Sequence, residues 1–132
     1  MDETPLHFYD RNGNLIREEW LSNGVFHRDG DKPAIIDYEN SRVIGEIWYV
    51  NGHIHRDNDK PAVVIYNRDG RSIYTREWWM YGNLYREMNK PITIIYNPNG
   101  TILEEFYSQD NRKRSRGEYD DEHRRIRSSS SI

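Results

Sequence analysis

The strongest constraint on this chain is a phrase of 15 residues that occurs three times. Each copy begins with tryptophan, passes through a turn that ends in glycine, and closes on Lys-Pro and an apolar residue. The copies are Trp20–Ala34 (WLSNGVFHRDGDKPA), Trp48–Ala62 (WYVNGHIHRDNDKPA) and Trp78–Ile92 (WWMYGNLYREMNKPI). Their tryptophans are 28 and 30 residues apart. This repetition indicates an array of similar units, because each unit buries its apolar face only against a neighbour.

A second, shorter phrase separates the copies and completes the unit. The segment 67–70 (NRDG) is typical of a type I turn closed by a glycine with positive φ. The Asn-Gly pairs at 23–24 and 51–52 are typical of two-residue type I′ turns, whereas Tyr81-Gly82 predicts a less regular third turn. One unit is therefore two hairpins long, and the chain carries about 3.5 units. The second phrase stands at Phe8–Gly13, Ile36–Arg42, Ile65–Gly70 and Ile95–Gly100.

The glycine turns also predict which residues face each other across the hairpins. We expect each histidine to stack on the tryptophan opposite it, and each following arginine to pair with a glutamate of the partner strand. Counting outward from the turns pairs Trp20 with His27, Trp48 with His55, and Trp78 with Tyr85. The glutamates expected to pair with the arginines are Glu19, Glu46 and Glu77.

The same pattern predicts the fold class. Pro33, Pro61 and Pro91 cannot donate to a strand ladder, so we expect each to open a strand. The β-branched runs that follow are continuous, which indicates apolar contact on both faces. We expect an all-β fold, an antiparallel β-meander of about 3.5 tandem two-hairpin repeats of 28–30 residues. Strands are predicted near 5–10, 14–22, 25–28, 33–38, 42–50, 53–56, 61–67, 71–80, 83–86, 91–97 and 101–107.

Composition divides the chain into two parts. Residues 1–108 carry 12 Lys+Arg against 17 Asp+Glu, a net of −5, and residues 109–132 carry 7 against 5, a net of +2. Only 35% of the residues are hydrophobic, but 13% are aromatic, and aromatic side chains bury enough area to build a small core. We expect a β-hairpin repeat domain at 1–108 and a charged, Ser-rich C-terminal tail at 109–132, mobile or weakly helical.

Several function classes find no support in the residues. The chain has no cysteine, no phosphate-binding glycine loop and no nucleophile elbow, so we expect no enzyme, no metal and no cofactor. A composite catalytic site of His7, His53 and nearby carboxylates is the remaining alternative. Asp29–Asp31 and Asp57–Asp59 are typical of calcium loops only in part, since both lack the closing glutamate, and aspartate and asparagine are also common turn formers. No apolar run reaches the roughly 18 residues of a membrane span, and we expect a cytoplasmic protein without an integral membrane segment.

The W-x-x-N-G-x-x-H pattern at Trp20–His27 and Trp48–His55 resembles MORN-like repeats, which are stacked β-hairpins. The longer form with His-Arg resembles the variant found in proteins of large DNA viruses and phages. The resemblance covers about residues 5–107. It departs from the MORN pattern at Arg28 and Arg56, which stand where that pattern has glycine. It implies a virion or host-interaction component, located in the virion or the host cytoplasm.

Two groups of residues are candidates for binding. A stripe of repeated arginines and tryptophans is one candidate to hold phosphates or carboxylates, with packing of the repeat itself as the alternative. The basic clusters of the tail are the other, with nucleic acid or an acidic protein as the expected ligand and a solvated tail without a ligand as the alternative. Our leading hypothesis is protein–protein interaction or self-association through the β surface. The candidate residues are Trp20, Trp48, Trp78, Arg28, Arg56, Arg86, Arg112, Lys113, Arg114, Arg116, Arg124 and Arg125.

Overall fold

The structure, a computed structural model, describes residues 4–87 and 89–107. These residues form strands and turns without any helix, which confirms the all-β class. Eight strands make one antiparallel sheet in chain order, so the predicted meander is also confirmed. The strands of this main sheet are β1 (Leu6–Tyr9), β2 (Leu15–Glu19), β5 (Ile35–Glu39), β6 (Arg42–Ile47), β9 (Val63–Tyr66), β10 (Ile73–Glu77), β13 (Thr93–Tyr96) and β14 (Ile102–Phe106).

Three short hairpins stand apart from the main sheet, each as a two-stranded sheet of its own. We call them the small hairpins. Three complete units, each a main-sheet hairpin followed by a small hairpin, precede the final half unit β13–β14, as the repeat count predicts. The small hairpins are β3 (Leu21–Ser22) with β4 (Val25–Phe26), β7 (Tyr49–Val50) with β8 (His53–Ile54), and β11 (Trp79–Met80) with β12 (Asn83–Leu84).

The repeated tryptophan is the point at which the chain leaves the main sheet. The prediction of single strands over 14–22, 42–50 and 71–80 is wrong, because each of these segments is two strands separated at the tryptophan. Trp20 N–H donates to the Ala34 carbonyl of the next main-sheet hairpin at 2.8 Å, and its carbonyl accepts from His27 N–H at 3.1 Å. Because Trp20 is hydrogen-bonded on both sides in this way, the backbone passes from the main sheet to the small hairpin at this residue.

The register predictions hold in all three small hairpins, and the turn prediction holds in the first two. Asn51 and Gly52 have φ values of 49° and 85°, as a type I′ turn requires. Tyr81 and Gly82, at 47° and 84°, adopt the same turn, so the expected irregularity of the third hairpin is wrong. The Tyr81 ring lies 4.1 Å from the His55 ring, and this contact stabilises a φ that tyrosine otherwise avoids.

The buried residues form two clusters, one around Trp48, Ala62 and Val64 and one around Ile95 and Phe106. Ile92, Thr93 and Ile95 are fully buried, which confirms apolar contact on both faces of their β-branched run. The prolines stand two residues before their strands rather than within them, since β5, β9 and β13 begin at Ile35, Val63 and Thr93. The main sheet is open, with β1 and β14 as its edges. No helix of the described residues has the length and apolarity to cross a membrane.

Candidate functional site

Each arginine of the candidate stripe lies flat on the tryptophan of its own repeat. A guanidinium over an indole face is a cation–π contact, so six of the predicted binding residues form three stacked pairs. The Nη1 atom of each arginine also donates to the carbonyl of the proline five residues later, at 3.0–3.1 Å. The separations between guanidinium carbon and ring centroid are 3.7 Å for Arg28 on Trp20, 3.8 Å for Arg56 on Trp48 and 3.8 Å for Arg86 on Trp78.

The predicted pairing of these arginines with glutamates is wrong. Glu19 pairs with Arg17 at 3.3 Å. Glu46 accepts a hydrogen bond from the Tyr66 hydroxyl at 2.6 Å. Glu77 accepts from the indole N–H of the neighbouring residue 79 at 3.0 Å. The break at the tryptophan is the physical reason, because the glutamates remain in the main sheet while the arginines follow the small hairpins out of it.

The arginines of the second and third repeats instead bind an aspartate of the preceding repeat. Arg56 reaches Asp31 through Nε at 2.9 Å and Nη2 at 3.4 Å, and Lys60 reaches the same carboxylate at 2.9 Å. One repeat later, Arg86 and Lys90 hold Asp59 at 2.8, 3.4 and 2.9 Å. We call each of these groups an aspartate clamp.

The main chain of each clamp aspartate is bound as well. The indole N–H of Trp48 donates to the Asp31 carbonyl at 3.3 Å, and that of Trp78 to the Asp59 carbonyl at 3.1 Å. Both aspartates have a φ of 55°. Reasoning from the sequence treated these aspartates as turn formers and missed them as binding partners. Their identical place in the repeat, each followed by Lys-Pro, was the available signal.

The clamps change the acidity of their aspartates. Arg56 and then Lys60 hold the pKa of Asp31 below its ordinary value, against the opposing effect of partial burial. Arg86 and then Lys90 lower the pKa of Asp59 from 3.8 to about 2. A carboxylate whose pKa is lower in the folded state stabilises the fold above its unfolded pKa. This contribution is lost as the pH falls through the folded pKa.

We therefore expect the free energy of unfolding of Asp59→Asn to depend less on pH at acidic pH than that of wild type. Wild type should lose free energy of unfolding between pH 3.8 and about 2 through this carboxylate, and the variant should not. The side chain is 35% exposed, so solvent screening limits the difference to about 1 kcal/mol. Urea unfolding at several pH values measures it, with Glu87→Gln on the exposed surface as control. Parallel curves for wild type and Asp59→Asn would contradict the clamp.

The histidines link consecutive small hairpins and do not stack on tryptophan as expected. Asn51 N–H donates to His27 Nδ1 at 3.0 Å, and Tyr81 N–H donates to His55 Nδ1 at 3.1 Å. Because Nδ1 accepts a hydrogen bond in both rings, Nε2 carries the proton. The Nε2 atom of His27 lies 2.8 Å from the carboxylate of Asp29, and that of His55 lies 2.7 Å from the carboxylate of Asp57. The glycine N–H of the second and third turns donates to the preceding hairpin too, from Gly52 to the carbonyl of residue 26 at 2.8 Å and from Gly82 to that of residue 54 at 2.9 Å.

The two histidines of the composite alternative lie in different sheets. His7 pairs with Glu18 at 3.0 Å in the main sheet, while His53 lies in the second small hairpin. The Oδ1 atom of Asp29 lies 2.8 Å from His27 Nε2. Within residues 4–87 and 89–107 there is no group of three or more His, Cys, Asp or Glu placed to hold a metal ion.

Two grooves lie between the repeats, of about 240 Å³ between the first and second and about 360 Å³ between the second and third. The larger is lined in part by Trp78, Tyr85 and Arg86. Arg56 and Arg86 line these grooves with their guanidinium groups already engaged by carboxylates, which argues against a continuous stripe for phosphates. The candidate tail residues lie outside the described residues: Arg112, Lys113, Arg114, Arg116, Arg124 and Arg125.

Comparison of the chain with protein-family models, with curated proteins and with solved structures gives no match.

Proposed function

We propose that the protein is a non-enzymatic repeat module that binds another protein along the free edge of β1. The observation that supports this is a contrast between equivalent positions. Leu6 and Phe8 of β1 are 53% and 40% exposed, whereas Val63 is 5% exposed and Ile95 is fully buried. Each internal strand of the main sheet pairs with a strand on both sides, whereas among the described residues β1 pairs only with β2. β1 therefore exposes apolar residues at positions that β9 and β13 bury.

The chemistry of the two sheet edges favours β1 over β14. β14 carries Glu104 and Glu105, and charged side chains on an edge strand discourage pairing with another chain. β1 has the sequence LHFY, with no aspartate, glutamate, lysine or arginine. An extended apolar strand of a partner would gain main-chain hydrogen bonds at this edge and cover Leu6 and Phe8. The resemblance to repeats of large DNA viruses and phages adds the expectation of a virion or host-interaction component.

We expect Leu6→Lys with Phe8→Lys to abolish partner binding while the fold is retained, because both side chains are already exposed. The full chain and its variants would be used for affinity purification from the source organism, read by mass spectrometry. Val25→Lys, 43% exposed on a small hairpin, is the matched control. A specific partner should be retained by wild type and by the control, and it should be lost from the double variant. In the purified complex, the partner should also reduce the rate of hydrogen exchange of the β1 amides. Equal retention by all three proteins would reject the β1 edge.

Nucleic-acid binding is the competing outcome of the same experiment. It would show as retention of a mixed nucleic-acid pool at low salt, undiminished by the β1 substitutions. Replacing Arg112, Lys113, Arg114 and Arg116 by serine in the full chain would then remove it. The net charge of −5 over residues 1–108 opposes phosphate binding by the repeat domain itself.

A further inference from the structure

The small hairpins stack through one set of contacts that is used twice. The following repeat supplies donors: two turn N–H groups, an arginine, a lysine and an indole N–H. The preceding repeat supplies acceptors: a histidine Nδ1, a main-chain carbonyl and an aspartate. The same set recurs between the second and third repeats. Such a stack ends with one donor surface and one acceptor surface that no internal repeat covers.

The first repeat presents the donor surface. Arg28 is held on Trp20 and bonded to the Pro33 carbonyl in the same way as the other two arginines, so its guanidinium has the orientation that binds aspartate elsewhere. Lys32 stands at the position of the second cation of the clamp. In the part of the chain that the structure describes, no carboxylate pairs with Arg28 or Lys32.

The third repeat has lost the matching acceptors. Tyr85 replaces the histidine, and its side chain is 53% exposed. Asn89 replaces the clamp aspartate and keeps the same backbone conformation, with a φ of 68° against 55° for Asp31 and Asp59. The backbone therefore admits an aspartate at position 89, and what the asparagine removes is the negative charge. The two ends of the stack are not complementary to each other.

We propose that Arg28 and Lys32 form a carboxylate-binding site for an aspartate-bearing loop of another polypeptide, and that Tyr85 and Asn89 keep this protein's own last repeat from occupying it. Two copies of the same clamp in this molecule show what the arrangement binds. The occupant is a loop that presents an aspartate as Asp31 and Asp59 are presented. The site lies at the small hairpins rather than on the edge of β1, so it does not depend on the function proposed above.

A peptide titration tests the site. The probe is a synthetic peptide of residues 57–62 (DNDKPA), and the readout is the Nε–H signal of Arg28 in NMR spectra of the full chain, assigned with Arg28→Lys. The Arg28 signal should shift as peptide is added until the site is saturated. A peptide with Asn in place of the residue equivalent to Asp59 should bind about tenfold more weakly, because a charge-assisted hydrogen bond is lost. The signals of Arg56 and Arg86 should not move. No shift of the Arg28 signal, or equal affinity for the two peptides, would overturn the site.

Restoring the acceptors tests the second half of the proposal. The variant Tyr85→His with Asn89→Asp should associate head to tail, so its average mass in sedimentation should rise with concentration more steeply than that of wild type. Adding Arg28→Ala and Lys32→Ala should reverse this rise. Association that persists without the two cations, or no gain over wild type, would overturn the role of Tyr85 and Asn89.

Two further comparisons distinguish this site from the β1 edge and from a phosphate-binding site. Leu6→Lys with Phe8→Lys should leave the peptide titration unchanged, so failure of the β1 proposal is distinguishable from failure of this one. A shift of the Arg28 signal with a mixed nucleic-acid pool, but not with the peptide, would assign the cations to phosphates and overturn the carboxylate site.

Discussion

Replacement of Trp48 by alanine is expected to lower the free energy of unfolding by about 3–5 kcal/mol. The indole is 7% exposed and packs in one cluster with Ala62 and Val64. Its face carries the guanidinium of Arg56, and its N–H donates to the carbonyl of Asp31. The substitution removes buried area, a cation–π contact and a bond between repeats at once.

The matched control is Trp20→Ala. Trp20 is buried to a similar extent, at 6% exposure, and stacks under Arg28 in the same way. Its repeat has no preceding clamp aspartate among the described residues, so the loss should be smaller by roughly 1 kcal/mol, the size of one hydrogen bond. Urea unfolding of both variants, followed by circular dichroism, measures the difference. Equal losses would show that the contact between repeats contributes nothing at Trp48.

Replacement of His55 by alanine is expected to cost about 2–4 kcal/mol of unfolding free energy. The residue is 2% exposed, and its ring lies 4.1 Å from that of Tyr81. Its Nδ1 accepts the Tyr81 N–H at 3.1 Å. The variant loses both the ring contact and the acceptor of the third turn, whose backbone has the positive φ that tyrosine disfavours.

His55→Asn separates the two effects. The amide oxygen of asparagine can replace Nδ1 as acceptor while the ring contact is still lost. We expect it to recover about 1 kcal/mol relative to His55→Ala in the same unfolding experiment. His27→Ala is a second comparison, because His27 has the same acceptor role and stacks on no aromatic ring within residues 4–87 and 89–107. If asparagine recovers nothing, the hydrogen bond between hairpins is not a source of stability.

The departures of the third repeat have a structural explanation in the stack. Tyr85 and Asn89 stand at the two positions that would receive a following repeat, and no fourth small hairpin is present in residues 4–87 and 89–107. Terminal repeats of an array commonly differ from internal ones, because one face has no neighbour to match. Tyr81 differs from the equivalent asparagines for another reason, since it contacts the preceding repeat through its ring.

Local features of the sequence were enough to predict the unit and its register. Asn51-Gly52 tolerates two positive φ values, and this property alone sets the pairing of Val50 with His53. The proline after each lysine and the β-branched run that follows it located the buried strands to within two residues. These predictions succeeded because turn geometry and side-chain alternation act over a few neighbouring residues.

The partners of the arginines could not be predicted in the same way. Glu77 and Asp59 were both possible partners of Arg86 by charge, one in the same repeat and one in the preceding repeat. The choice depends on where the chain leaves the main sheet at Trp78, and no local rule places that break. The contact from Arg86 to Asp59 joins residues 27 apart in the chain, and it exists only after the hairpins have stacked.

The sequence by itself therefore determined the repeating unit, its turns and the register of each hairpin, because these follow from short-range backbone geometry. Only the tertiary structure decided which carboxylate Arg56 and Arg86 bind, which strand of the sheet is exposed and which end of the stack holds cations that pair with no carboxylate of the described residues. Those properties depend on how successive units are offset in space. The three copies of the repeated segment therefore make different contacts according to their position in the array.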